Sequence, residues 1–316
     1  MTSFSLKLPS FAKINRSLKV LGKRADGFHE IITVLQTISL CDELAFVLRE
    51  DLDLAISCDI PDIPVDNTNL VWLAADRLRQ VTGVSLGASI NLIKRIPAKG
   101  GLGGGSSNAA VTLLALNELW STNLDLEQLT AVAATIGSDV PFFLTGGACL
   151  GEGTGNRISA LPDGPVEFLL VVTPAVGVST AAAYKALNAP SLTTKESTSI
   201  LARSFEGPAA ARQDFWALKN DFEGVIFEME PEIKRVKLAL LEAGARGALL
   251  AGSGSSVFGI FSDEEARAQA AADLKSETGW RLFSCNTLPR DEYIRTLQSA
   301  GHPLLRSSNL QPDTGA

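Results

Sequence analysis

Cysteine and histidine are scarce in this chain, with four of the first (Cys41, Cys58, Cys149, Cys285) and two of the second (His29, His302). No two cysteines form a CxxC pair, which argues against a structural zinc site or a disulfide framework and fits a reducing compartment. No uninterrupted apolar run approaches the roughly 20 residues that a membrane helix needs. Met1–Leu8 alternates polar and apolar residues and lacks the long apolar core of a signal peptide. Positive charge is in deficit as well: 28 Lys and Arg stand against 35 Asp and Glu, a net charge of −7. That balance argues against a nucleic-acid or membrane-surface binder, because such surfaces need excess cation. These absences together predict a soluble, cytoplasmic protein with no nucleic-acid or membrane partner. Any anionic substrate must be drawn in by charge assembled locally.

What is present is ordinary globular material. The 316 residues, 46% hydrophobic and 20% charged, suffice for one large domain or two lobes. Short β-like runs are interspersed with helical ones, so the fold class is mixed α and β. Strands are expected at Ser5–Leu8, Phe11–Leu21, Leu44–Arg49, Asp53–Cys58, Ser89–Ile93, Ala148–Gly151, Glu167–Thr173, Gly247–Leu250, Val257–Phe261 and Arg281–Asn286. Helices are expected at Leu70–Val81 capped by Asn67, Asn108–Trp120 opened by Ser106, and Leu126–Ile136 opened by Asp125. Others are expected at Thr180–Leu187, Asp221–Met229, Pro231–Ala243 and Asp263–Ser276. Asn188–Gln213 reads as a long surface connection, and the break at Leu161–Pro165 suggests lobes of residues 1–160 and 161–298. Residues 299–316 carry no apolar period and read as a mobile tail.

One segment stands apart. Five glycines fall within Gly100–Gly105, after a strand pattern and before a strong helical one, followed by Ser106, Ser107 and Asn108. Glycines let backbone amides approach a ligand closely, and the first turn of a helix offers orphan N–H groups to an anion. The macrodipole alone is worth only about 0.3–1 kcal/mol per exposed charge, so aligned amides, hydroxyls and cations must carry most of the binding. No Asp or Glu occurs between Arg77 and Asn117, while Arg77, Arg79, Lys94, Arg95 and Lys99 lie there or at its edge. The loop is neither a Walker A sequence nor a GxGxxG dinucleotide fingerprint.

Pro97–Ala110, PAKGGLGGGSSNAA, resembles the phosphate loop of the GHMP kinases. The extended form is similar to the bacterial branch that phosphorylates the 2-hydroxyl of 4-diphosphocytidyl-2-C-methyl-D-erythritol with ATP. Three further segments match that branch in order: Phe11–Asn15 (FAKIN), Gly22–His29 (GKRADGFH) and Ile136–Phe143 (IGSDVPFF). Leu250–Val257 (LAGSGSSV) is similar to the family's third loop, which closes against the nucleotide site. The resemblance implies an α+β, two-lobed GHMP kinase fold, with a ribosomal protein S5 domain 2-like N-terminal lobe and an α/β C-terminal lobe. It implies an ATP-binding lobe over 1–160 and a substrate-side lobe over 161–298.

The same resemblance implies roles for particular residues. Lys13 and Asp139 would be catalytic, Asp139 as the base. Pro97, Ala98, Lys99, Gly100, Gly101, Leu102, Gly103, Gly104, Gly105, Ser106 and Ser107 would cradle ATP, with Mg²⁺ on its phosphates. Asn15, Phe28, His29 and Thr180 would contact the acceptor, a small molecule with a cytidine diphosphate group. Phe28 would stack on cytosine where the family usually has Tyr, and His29 would read the polar edge of the base. The alternatives are a homoserine- or mevalonate-type kinase, for which Phe28 and His29 would lack a purpose, or a catalytically silent ATP or sugar sensor.

Overall fold

A computed structural model describes residues 5–191 and 218–299. Its centre is a long antiparallel pair, β1 (Ser5–Lys23) and β2 (His29–Arg49). The two strands expected at Ser5–Leu8 and Phe11–Leu21 are one strand that runs through Pro9. Only Leu44–Arg49 of β2 was expected as strand. Its first half escapes pattern reading because Ile31–Ile38 is buried on both faces, which erases the period-2 alternation. One edge of β2 pairs with β1, while the other pairs with β5 (Ala148–Gly153) and then with β4 (Gly87–Ile93). β3 (Leu54–Cys58) runs parallel to β4, the short β6 (Arg157–Ala160) extends β5, and β8 (Lys219–Asn220) pairs with β1 at Ser17 and Leu18.

A second, antiparallel sheet has the order β11 (Trp280–Asn286), β7 (Phe168–Pro174), β10 (Val257–Phe261), β9 (Gly247–Leu250). On the first sheet lie α1 (Leu70–Thr82), α2 (Gly104–Leu119), α3 (Leu126–Ala134) and the one-turn α4 (Phe142–Thr145). On the second lie α5 (Thr180–Leu187), α6 (Glu223–Met229), α7 (Pro231–Glu242) and α8 (Glu264–Asp273), the last continuing as a 3₁₀ turn to Ser276. A third apolar cluster, with Ile14, Ile38 and Leu102 on one side and Leu169, Val171, Leu249 and Phe258 on the other, joins the two sheets.

Helix starts depart from the sequence reading in instructive ways. α1 is capped by Asn69, whose Oδ1 accepts from Val71 N at 2.9 Å, and not by Asn67. Asp66 has already closed a turn over Thr68 (2.9 Å), so the first free amides come two residues later than the pattern suggests. α2 begins at Gly104, four residues before the expected start, and no side chain caps it. Ser106 therefore sits inside its first turn. α3 has the expected Asp125 cap, completed as a capping box by Gln128. The connection expected over Asn188–Gln213 and the tail after Ser299 lie, apart from their first residues, outside the described residues.

α9 (Arg290–Ser299), absent from the sequence reading, returns to the first core. Its Tyr293 is 1% exposed, faces Phe11 with ring centroids 5.6 Å apart, and donates its hydroxyl to Phe143 O. Burial pushes that phenol far above its usual range. Removing so large a buried ring costs about 3–5 kcal/mol, while deleting the hydroxyl alone costs about 0.5–1.5 kcal/mol. Urea unfolding should therefore rank Tyr293→Ala well below Tyr293→Phe, with Tyr293→Phe slightly below the parent chain.

Candidate active site

Strand periodicity places Lys13 and Asn15 on one face of β1, between two register shifts that bend the strand. Lys13 is 4% exposed. Its ammonium donates to Asn15 Oδ1 at 2.7 Å and lies 3.4 Å from Asp139 Oδ2. Asn15 is oriented in turn by donating to Thr33 Oγ1 (2.7 Å), which donates to Ser17 O (2.7 Å). Asp139, in the turn between α3 and α4, is more open, with 37% of its side chain exposed. A buried cation thus lies beside a half-open carboxylate that solvent or a ligand can reach.

The glycine loop follows β4 and delivers the chain into α2. Gly101 has φ +79°, and a Cβ there would lie 1.9 Å from Ala251 O. Gly103, which caps α2 with φ +72°, would drive a Cβ to 2.8 Å from the Phe143 ring and 2.9 Å from Lys13 Cγ. Both positions need glycine for conformation and for space. Lys13 N donates to Leu102 O (2.9 Å), so the loop is hydrogen-bonded to the strand that carries the buried lysine. The first i→i−4 bond of α2 runs from Ser107 N to Gly103 O (2.9 Å), which leaves the amides of Gly104, Gly105 and Ser106 as the helix's outward donors.

Beneath the loop lies a buried polar network that the sequence did not disclose. Asp42, with no exposed surface, accepts from the Lys94 ammonium, from the amides of Arg95 (2.7 Å) and Ile96 (2.8 Å), and from Asn108 Nδ2 (3.0 Å). Asn108 also donates to Ser10 Oγ (2.9 Å), and Ser10 donates to Ser107 Oγ (2.7 Å). The acid-free stretch therefore receives its countercharge from β2. The sequence offers only a weak signal for Asp42, one of two adjacent acids (Asp42 and Glu43) between the largely apolar stretches Ile38–Cys41 and Leu44–Phe46.

From the second sheet comes the loop 251–256. Ser256 N donates to Gly100 O (3.1 Å), and Asn220 donates to Leu250 O (2.9 Å) and Gly252 O (2.7 Å). Ser253 Oγ donates to Thr180 Oγ1 (3.1 Å), so this loop meets the start of α5.

At the far end Phe28 is 61% exposed. His29 stacks on Tyr184 with ring centroids 4.5 Å apart, and Tyr184 meets Phe222 edge-on at 4.8 Å. Burial, and behind it Lys23, holds the His29 imidazole below its ordinary value of 6.5. Burial, and then the Asp139 charge, pushes the Tyr184 phenol up to about 12. Sequence reading missed Tyr184, although it is one of only two tyrosines in the chain.

The Lys13–Asp139 pair, the glycine loop, Ser253 and the aromatic end with Tyr184 line one cleft of about 1250 Å³. Of the residues singled out from sequence, Lys13, Asn15, Phe28, His29, Pro97 to Ser106, Asp139 and Thr180 line it. Ser107 does not: it is fully buried and its hydroxyl belongs to the network under the loop.

Comparison with known proteins bears on this cleft. Residues 69–147 match the GHMP kinases N terminal domain, and residues 198–279 match the GHMP kinases C terminal domain. A 4-diphosphocytidyl-2-C-methyl-D-erythritol kinase from Geobacter sp. (strain M21) is 40% identical over 90% of this chain and 99% of its own length. One from Pelotomaculum thermopropionicum is 44% identical over 83% and 91%. The crystal structure of a 4-(cytidine 5'-diphospho)-2C-methyl-D-erythritol kinase is similar with a TM-score of 0.70 and 33% identity, covering 90% of this chain and 100% of that one. A homoserine kinase from Cytophaga hutchinsonii, 19% identical with a TM-score of 0.69 over 93% of this chain and 97% of its own, shares the fold.

The network beneath the loop generates a stability prediction. Removing one partner of a buried, hydrogen-bonded ion pair costs roughly 3–5 kcal/mol. Asp42→Ala should lose that much in chemical denaturation, and Asp42→Asn, which can still accept from the amides of Arg95 and Ile96, should lose less.

Proposed function

The chain belongs to the GHMP kinase family, and from that premise we propose that it transfers the terminal phosphoryl group of ATP to the 2-hydroxyl of 4-diphosphocytidyl-2-C-methyl-D-erythritol. One observation carries the reading: the Lys13–Asp139 pair, 3.4 Å apart, shares a cleft with the start of α2 on one side and the His29–Tyr184 stack on the other. A triphosphate and a nucleobase-bearing acceptor each find matching chemistry there. Homoserine and mevalonate carry no nucleobase and would leave the aromatic end without a task.

In this assignment Pro97–Ser106 cradles ATP, with the amides of Gly104, Gly105 and Ser106 turned to its phosphates. Asp139 takes the proton of the acceptor hydroxyl. Lys13, 3.4 Å from Asp139, offsets charge on that carboxylate and on the transferring group. Phosphoryl transfer rests on alignment and charge stabilisation more than on covalent chemistry, so this sparse set suffices. Asn15 and Thr180 face the acceptor, Phe28 stacks on the cytosine, and neutral His29 offers its edge one donor and one acceptor. Residues 1–160, with α9 returning to their core, serve as the nucleotide lobe, and the second sheet with its helices flanks the acceptor through Thr180 and Tyr184.

No group of three or more His, Cys, Asp or Glu side chains able to hold a metal occurs among the described residues. A Mg²⁺ ion that keeps its waters and the substrate phosphates needs no all-protein cage. Ser106, in the first turn of α2 and lining the cleft, would be its protein donor. When bound, the ion neutralises phosphate oxygens. Four free cysteines, and the absence among the described residues of a helix long and apolar enough to cross a membrane, support a cytoplasmic setting.

Offered ATP with 4-diphosphocytidyl-2-C-methyl-D-erythritol, homoserine or mevalonate, the protein is expected to phosphorylate the first alone. Turnover of homoserine or mevalonate instead would reassign the acceptor. Asp139→Asn should lower kcat by about 10²–10⁴, the usual worth of a general base, with ATP affinity little changed. Near-normal turnover would remove Asp139 from that role.

The depressed His29 pKa sets a pH window. The imidazole is neutral at pH 7 and gains its proton only as pH falls through a value below 6.5. Its contribution to stability is full above 6.5 and falls as the unfolded chain takes up the proton. It is lost as pH passes down through the lowered folded value, where base recognition is lost too. The acceptor KM should rise on acidification in the parent protein, and His29→Gln should flatten that rise.

A further inference from the structure

Phe28 presents a puzzle of placement. It is 61% exposed, so no packed neighbour fixes its ring, and its aim into the cleft depends on the backbone of the turn that carries it. That turn is tightly built. Arg24 N donates to Phe28 O (2.7 Å), Gly27 N donates to Arg24 O (3.1 Å), and Phe28 N donates to Asp26 Oδ1 (3.1 Å). The Arg24 guanidinium ties it together: Nη2 donates to Asp26 Oδ2 (2.9 Å) and Nη1 to Glu30 Oε2 (2.8 Å).

Glu30 is the anchor. It is 2% exposed, and it sits on β2 opposite Gly22, one residue beyond His29. Arg157 lies 3.9 Å from its other oxygen. Among the described residues Glu30 Oε1 has no hydrogen-bond partner, so the hydrogen bond from Arg24 is what holds this buried carboxylate, and the planar guanidinium bridging it to Asp26 ties the strand to the turn. Neither Arg24 nor Glu30 lines the cleft, whereas Lys23, Gly27, Phe28 and His29 do.

We propose that Arg24 and Glu30 are positioning residues that set affinity for the nucleobase end of the acceptor by locking the 24–29 turn, and that they act through Phe28. The proposal rests on the functional reading above. It gives the pair no part in holding ATP, since the glycine loop is reached by neither side chain.

The test is a cycle of variants in the parent background and in Phe28→Ala, assayed for acceptor KM, ATP KM and kcat. Arg24→Ala should raise acceptor KM on the order of tenfold or more, the effect of losing a charge-assisted hydrogen bond, with ATP KM within about twofold. Glu30→Gln should do the same, and Arg24→Lys should restore little, because an ammonium cannot bridge two carboxylates as a planar fork does. In the Phe28→Ala background the Arg24→Ala effect should largely vanish, because the two act on one interaction. A full, additive effect in that background, or an equal rise in ATP KM, would overturn the proposal. Should Arg24→Ala fail to fold, Arg24→Lys and Glu30→Gln supply the same comparison. A parent protein inactive on the cytidine diphosphate acceptor would sink the functional reading and this proposal together, whereas an active parent with additive variants sinks the proposal alone.

Discussion

Two stretches of backbone pass so close together that neither tolerates a side chain. A Cβ on Gly101 would meet Ala251 O at 1.9 Å, and one on Gly254 would meet Gly101 N at 2.1 Å. This approach, locked by Ser256 N to Gly100 O, is where the loop of the first sheet touches the loop of the second. From there the bond between Lys13 N and Leu102 O carries the constraint to β1, and Lys13 carries it to Asp139. A phosphate cradle made of mobile glycines would lose in ordering entropy what its amides gain from an anion. Packing glycine against glycine across two lobes removes that freedom before any ligand arrives.

The same site shows how an acidic protein holds cations. Lys94 is one of several positive charges in the stretch without acids, yet its ammonium is bonded to buried Asp42. That carboxylate does more than balance charge: it accepts two consecutive amides at the entry to the loop and the Asn108 amide at the start of α2. Buried ion pairs add little net stability but are costly to break, so their value here is geometric. They decide where the loop begins.

Features dictated by local chemistry were readable from the sequence. The Asp125 cap, the strands Gly247–Leu250 and Val257–Phe261 and the helix Thr180–Leu187 stand where spacing and cap chemistry put them. Features dictated by distant partners were not. Pairing on both edges and burial on both faces hid the first half of β2, and Asp66 moved the cap of α1 from Asn67 to Asn69. Within the cleft, FAKIN, the glycine loop, the ADGFH turn and Asp139 were legible through resemblance. Asp42, Tyr184 and Asn220 were not, because each matters only through residues far away in the chain.

The path of the chain has a temporal side. α9 fills the first core with Tyr293 and Leu297, and β8 adds an edge to the first sheet, so that sheet draws on residues from both ends of the described chain. Domains commonly fold as they leave the ribosome, N-terminal part first. Here the first sheet cannot complete its interior until residues 290–299 have been made. Until then the surface that Tyr293 covers is open to water.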